Sequence, residues 1–288
     1  MDRDALNRLM TEIRPRLHRY CARLVGSVFE GEDVVQEALA KAAEALPSAG
    51  TIEKAESWLF TIAHNTALDA LRRRKRQAEV PLDSDSPDLP EDAPDADAWI
   101  AANASLATIM QLPVIQRSSV VLIDVLEYSL AEAVEILGTT LPAVKAALHR
   151  GRARLKALSN VEVAEPPELD AQEQTRLRAY ADHFNARDFD SLRNLLAEDV
   201  QLDLVNRQRL AGRKDVSVYF TRYSEIFDWT VSPGLAEGRP ALLVSKSSGT
   251  TDTVDYVVLL DWVDGRIVGI RDFHYARYVM DGLAVARL

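Results

Sequence analysis

A multidomain chain, two all-α domains followed by an α+β domain, is what three observations predict. A helical apolar period runs through residues 1–77 and again through 99–160. Two Pro-rich stretches interrupt the chain, at 78–98 and 161–170. After residue 171 the texture changes to a helix, a shorter helical stretch, and then alternating β-rich runs. A length of 288 residues accommodates two or three such domains.

The elements follow in order. DALNRLMTEIRPRLHRYCARLV carries Leu6, Leu9, Met10, Ile13, Leu17 and Leu24 at helical spacing, interrupted by Pro15. GEDVVQEALAKAAEAL and SWLFTIAHNTALDALRRR read as two more helices. In the latter, Leu59, Ile62, Ala63, Thr66, Ala67, Ala70 and Leu71 form one stripe, with Thr61, His64, Asn65, Leu68 and Arg72 largely off it. Segment 78–98 is an acidic linker: its composition leaves too little apolar surface to offset the entropy of ordering. The second linker contains the Pro166-Pro167 pair. The third domain begins with a helix near 172–186 and a shorter one around FDSLRNLLAED. Then come VQLDLV, RPALLVSKS and TVDYVVLLDWVDGRIVGIRDFHY, in which Asp264-Gly265 marks a hairpin. Helices first and an antiparallel sheet after make this domain α+β.

Charge is distributed unevenly. The net charge of −10 divides into +2 over 1–77, −8 over 78–98, +2 over 99–160 and −6 over 161–288. Five cations at Arg72–Arg76 abut a run from Glu79 to Asp97 with eight carboxylates and no Lys or Arg. A local basic block is the footprint of a nucleic-acid surface even in an acidic chain. No apolar run approaches the ~18 residues of a membrane span, and the polar start MDRDALNRLMTEIRPRL is no secretory signal. The single Cys21 allows no internal disulfide. These features lead us to expect a cytoplasmic protein without membrane contact, metal or cofactor.

The most specific stretch is SLAEAVEILGTTLPAVKAALHRGRARLKAL, 129–158. Ser129 with Glu132 makes a capping box, Gly138 supplies a residue able to take positive φ at the helix end, and Pro142 sits in the first turn of the next helix. Val144, Ala147, Leu148 and Leu155 point inward, which leaves Lys145, His149, Arg150, Arg152 and Arg154 to face out. Two short helices across a Gly turn, the second basic, form a helix-turn-helix suited to a major groove. The bland alternative is a helical hairpin with a solvated basic face.

LPVIQRSSVVLIDVLEYSLAEAVEILGTTLPAVKAALHRGRARL resembles the promoter-binding C-terminal domain of bacterial extracytoplasmic-function sigma factors (group 4 of the sigma-70 family). GEDVVQEALAKAAEAL with SWLFTIAHNTALDALRRRKR resembles their N-terminal domain. The last third resembles the SnoaL-like group of the ketosteroid isomerase/NTF2 superfold, a curved, cone-shaped sheet around a cavity. The resemblance implies an alternative sigma factor that binds core RNA polymerase and directs promoter-specific initiation. It places Asp33, Val34, Gln36 and Glu37 on the helix that docks on the beta-prime clamp helices. Trp58, Phe60, Thr61 and Asn65 fall on the helix that engages the −10 element, with His64, Arg72, Arg73 and Arg74 beside them; Trp58 also reads as core. Lys145, Ala146, His149, Arg150 and Arg152 fall on the helix that meets the −35 element, where Ala146 offers only apolar contact. The turn Thr139-Thr140-Leu141 departs from the family's usual Ile/Val and Ser.

For the third domain, fold alone decides no activity. An enzyme of this class needs a carboxylate base in an apolar cavity, and Asp203, Asp255, Asp272 and His274 are the candidates for such a ligand pocket. Asp272 and His274, two apart, share one strand face. The expected function of the domain is regulation of the sigma domains in cis through an intramolecular contact, with residues 165–169 and Trp99 as places for it. The alternative is a DNA-binding regulator whose third domain is a small-molecule receptor or a polyketide cyclase/isomerase-type enzyme.

Overall fold

The computed structural model describes residues 2–78, 101, 104–158, 169–225, 227–246 and 253–288. The acidic linker beyond residue 78, Trp99 and most of the Pro-Pro segment lie outside the described residues. The chain divides into two compact units, Met1–Val163 and Ala164–Leu288.

The first unit is all helical. Helix α1 (Arg3–Val25) starts at Asp2, whose side chain accepts the Ala5 N–H, and ends at Gly26 with φ 86°. The expected interruption at Pro15 does not occur, since Pro15 lies inside a continuous helix. Burial of Leu6 and Ile13 before it and Leu17, Tyr20 and Leu24 after it on one core outweighs the lost backbone hydrogen bond. Helix α2 (Val28–Ala45), capped by Ser27, packs so closely on α1 that a Cβ at Gly31 would stand 2.6 Å from the Ala22 Cα. Helix α3 (Ala55–Ala78) completes the first bundle.

The second helical segment comprises α4 (Leu106–Met110), α5 (Val114–Val120) with a π-turn over Val121–Val125, α6 (Leu130–Leu137) and α7 (Leu141–Leu158). The capping box on Ser129 and Glu132 forms, and Gly138 takes φ 61° at the end of α6. A single apolar core joins both segments: Leu17, Leu24, Val35 and Phe60 share it with Leu112, Val121, Tyr128 and Ile136.

The second unit opens with α8 (Ala171–Asn185) and α9 (Phe189–Asn194). Strands β1 (Leu196–Leu204) and β2 (Gln208–Ala211) precede a helix α10 (Arg213–Ser224). Strands β3 (Trp229–Ala236), β4 (Arg239–Lys246), β5 (Tyr256–Val263), β6 (Arg266–Asp272) and β7 (Val285–Arg287) follow. The sheet order is β2-β1-β6-β5-β4-β3-β7. It is mixed rather than antiparallel throughout, because β6 returns beside β1 in parallel, with Leu202 opposite Ile270. Asp264 (φ 48°) and Gly265 (φ 75°) turn the β5–β6 hairpin as predicted. The Asn185 side chain fastens α8 to β3 by accepting the Val231 N–H at 2.9 Å and donating to its carbonyl at 2.8 Å.

Candidate functional site

On α2, Asp33 is exposed and Gln36 and Glu37 are half-buried, so all three reach the outer face. Val34 does not: at 3% exposure it belongs to the core, a correction that follows from the helical period, since Val34, Val35, Ala38 and Ala42 all turn inward. Glu37 binds Lys41 at 2.8 Å and Arg73 of α3 at 3.0 Å, and the Lys41 hydrogen bond above all holds its carboxyl below the usual range.

On α3, Asn65 and Arg72 are exposed, whereas Trp58 and Thr61 are half-buried. Trp58 packs against the shared core. The Thr61 hydroxyl donates to the Ser57 carbonyl at 2.9 Å. His64, expected off the apolar stripe, is buried and bonded through Nδ1 to the Tyr20 hydroxyl at 2.7 Å. Burial pushes its pKa down to about 4, so at neutral pH it is an uncharged strut between α1 and α3 rather than a DNA contact. The basic block is partly paired: Arg72 with Asp69 at 3.1 Å, Arg73 with Glu37, and Arg74 with Glu30 at 3.2 Å and the Val25 carbonyl at 3.1 Å. All three keep about half or more of their side chains exposed.

On α7, Lys145 is exposed and Ala146 and Arg150 are half-buried. His149 is half-buried, and its Nε2 is covered without a hydrogen-bond partner. Arg152 is corrected from an outward DNA contact. It grips Asp124 with two bonds, Nε–Oδ2 at 3.0 Å and Nη2–Oδ1 at 2.6 Å, and the Asp124 side chain is only 1% exposed. The pair tethers α7 to the turn after α5.

In the second unit a cavity of about 60 Å³ is lined by Leu204, Tyr219, Arg222, Tyr223, Trp229, Asp272, His274 and Tyr275. Of the four candidates only Asp272 and His274 meet there. Asp203 lies on the other face of β1, since Leu202 and Leu204 point inward, and pairs with Arg209 at 3.4 Å and Arg271 at 3.8 Å. Asp255 accepts the Lys246 N–H at 2.9 Å and faces Arg277 at 3.8 Å. Asp272, 1% exposed, ends β6. Its Oδ2 accepts the Tyr219 hydroxyl at 2.8 Å and the Tyr223 hydroxyl at 3.0 Å, and its Oδ1 accepts the His274 N–H at 2.7 Å. His274 stands in the turn beyond the strand, yet lines the same cavity.

Burial raises the Asp272 pKa, and the three donors hold that rise back; burial lowers that of His274. Tyr219 and Tyr223, four apart on α10, were missed in the sequence reading. Their signal was Val216, Tyr219, Phe220 and Tyr223 at helical spacing between two strand-like runs.

Residues 9–77 match the family of Sigma-70 region 2, residues 104–155 that of Sigma-70, region 4, and residues 177–270 that of the SnoaL-like domain. The chain is 30% identical over 168 residues to the ECF RNA polymerase sigma factor SigW of Bacillus subtilis, over 54% of this chain and 89% of that protein. It is 35% identical over 158 residues to the ECF RNA polymerase sigma factor SigM of Mycobacterium tuberculosis, over 54% of this chain and 78% of that one. The crystal structure of the extracytoplasmic function sigma factor SigJ from Mycobacterium tuberculosis covers 91% of this chain and 93% of its own, at 22% identity and a TM-score of 0.34. The paired regions define a sigma-70-type transcription factor in the helical unit. The chain belongs to the ECF RNA polymerase sigma factors and carries a fused SnoaL-like domain. No described helix is long and apolar enough to cross a membrane.

Proposed function

We propose that this chain binds core RNA polymerase through the outer face of α2, at Asp33, Gln36 and Glu37, and directs it to promoters. The −10 element falls to α3, with Trp58, Thr61 and Asn65 facing bases and Arg72–Arg74 facing phosphates. The −35 element falls to α7, through Lys145, Ala146 and Arg150. The observation that carries this reading is the pairing of two sigma regions in order, each with polar or basic side chains on the outer face of its recognition helix. Stacking and a positive groove suit a melted strand, and the second helix of a helix-turn-helix suits a duplex groove.

The SnoaL-like domain acts on the sigma domains in cis as a regulator rather than as a polyketide cyclase. Its cavity of about 60 Å³ among the described residues is well below the ~300–1,000 Å³ of typical small-molecule sites. Asp272 is already supplied with three donors, a poor state for a general base. Covalent linkage supplies an effective concentration of roughly millimolar, enough for weak regulation.

Run-off transcription with core polymerase tests both parts. The full chain should direct promoter-specific initiation, and truncation at about residue 165 should change its rate several-fold. Equal activity with and without the C-terminal domain removes the cis-regulatory reading. Failure of every form to direct core polymerase removes the sigma assignment of the sites.

A further inference from the structure

The two helical segments meet in the first unit along a seam with opposed features. On one side stands Glu56, in the first turn of α3. Its Oε1 accepts from both the Arg16 guanidinium of α1 and the Tyr128 hydroxyl, which precedes α6. Arg16 also lies 4.9 Å over the Tyr128 ring, and Tyr128 meets the fully buried Phe60 edge-on at 5.0 Å. One turn before, Lys54 pairs with Glu135 of α6. On the other side Arg117 of α5 is only 4% exposed. Its Nε has no hydrogen-bond partner, and burial together with the neighbouring Arg74 cation lowers its pKa to about 10.

The geometry of the promoter makes this seam consequential. Elements centred at −10 and −35 are 25 base pairs apart, about 85 Å at ~3.4 Å per base pair. A compact unit of 163 residues is only about 40 Å across. Resting on the site assignment proposed above, α3 and α7 cannot reach both elements while the seam is closed. The 21 residues of segment 78–98 extend to at most about 75 Å, enough for the segments to part.

We propose that Arg16, Glu56, Tyr128, Lys54 and Glu135 form a clasp that holds the two sigma segments together in the free protein, and that the buried Arg117 opposes it, so that the closed unit is poised to open. Opening rehydrates Arg117 and frees Arg74 for a phosphate. The clasp lies within the sigma segments and is a different device from the C-terminal domain. A buried cation without a carboxylate partner favours the open state, because water is a better environment for it. The clasp outweighs it through a shared charged acceptor and the covered Phe60 and Tyr128 rings.

Opposite substitutions test this in the full chain. Cys21 is fully buried, so spin labels at Glu44→Cys and Ala157→Cys, both exposed positions, report the distance between segments by pulsed electron resonance. The wild-type protein should give one short population. Glu56→Ala with Lys54→Glu should raise the long-distance fraction by about tenfold or more, the effect of losing one charged hydrogen bond. Lys54→Glu with Glu135→Lys should restore closure, which separates loosening from misfolding. Arg117→Met should reduce the long-distance fraction. The proposal fails if the Glu56→Ala/Lys54→Glu distribution matches wild type, if Arg117→Met opens the seam, or if the wild-type protein already spans long distances. None of these readings needs polymerase or a promoter. If the clasp behaves as stated but no form directs transcription, it is the site assignment that falls.

Discussion

Replacing Arg152 by Ala separates two roles for the same guanidinium. Were it a phosphate contact, its loss would weaken DNA binding and leave the fold unchanged. The structure instead sets it in a bidentate pair with Asp124, whose side chain is 1% exposed. Removing one partner of a buried pair leaves an uncompensated charge and costs about 3 kcal/mol or more. For a unit of 163 residues, an unfolding entropy of roughly 2.1 cal/mol/K per residue gives about 0.34 kcal/mol/K, so the melting temperature should fall by about 9 °C. Differential scanning calorimetry of the full chain reads this as a drop in the helical unit's transition. Arg150→Ala, at a position without such a pair in the described contacts, should stay within about 0.5 kcal/mol of wild type. The double substitution Arg152→Met with Asp124→Leu should recover most of the loss, because a well-packed apolar pair replaces a buried ionic one at little cost. A melting temperature for Arg152→Ala within 2 °C of wild type would refute the structural role and return the residue to the DNA face.

Three further outcomes are expected. His64 is held near pKa 4 against about 6.5 when unfolded, so the unfolded chain takes up the proton first, and stability is lost as pH falls from about 6.5 towards 4. Between pH 7 and 5 this amounts to about 2 kcal/mol in urea midpoints, and His64→Gln should remove that part of the slope; equal slopes in both proteins contradict it. Gly31→Ala should destabilise by about 2 kcal/mol despite the better helix propensity of Ala, because its Cβ would meet the Ala22 backbone at 2.6 Å; a stabilised variant means that α1 and α2 pack more loosely. Tyr219→Phe should cost the SnoaL-like domain about 1–2 kcal/mol by removing one donor from Asp272, and carbon NMR should show the Asp272 carboxyl titrating at higher pH than in wild type.

What could be read from the sequence was written locally. The capping box of Ser129 and Glu132, the glycine at 138 and the Asp264-Gly265 turn are each decided within four residues, and each formed where expected. Long-range choices were not legible. His64 and Arg152 look like surface residues until Tyr20, forty-four positions away, and Asp124, twenty-eight away, are brought to them. Pro15 reads as a break because its local cost is visible and the core on both sides of it is not. The parallel β1–β6 pairing has no local signature, and strand alternation alone favoured an antiparallel sheet. The cavity was half legible: Asp272 and His274 stood out by chemistry, whereas α10, which brings two hydroxyls to Asp272, was hidden between β-rich runs.

The parallel pairing of β1 with β6 also sets an order of events during synthesis. Leu202 must wait for Ile270, sixty-eight residues later, before the middle of its sheet exists. The helical unit ends by Val163, and at roughly 5–20 residues per second the remaining 125 residues take about 6–25 seconds to make. The helices, whose contacts are mostly between neighbours in sequence, fold far faster than that. Each newly made molecule therefore passes through an interval of several seconds in which a folded sigma unit exists on the ribosome and its C-terminal domain does not. Any control by that domain is acquired after the fact, and translation speed decides how long the chain goes without it.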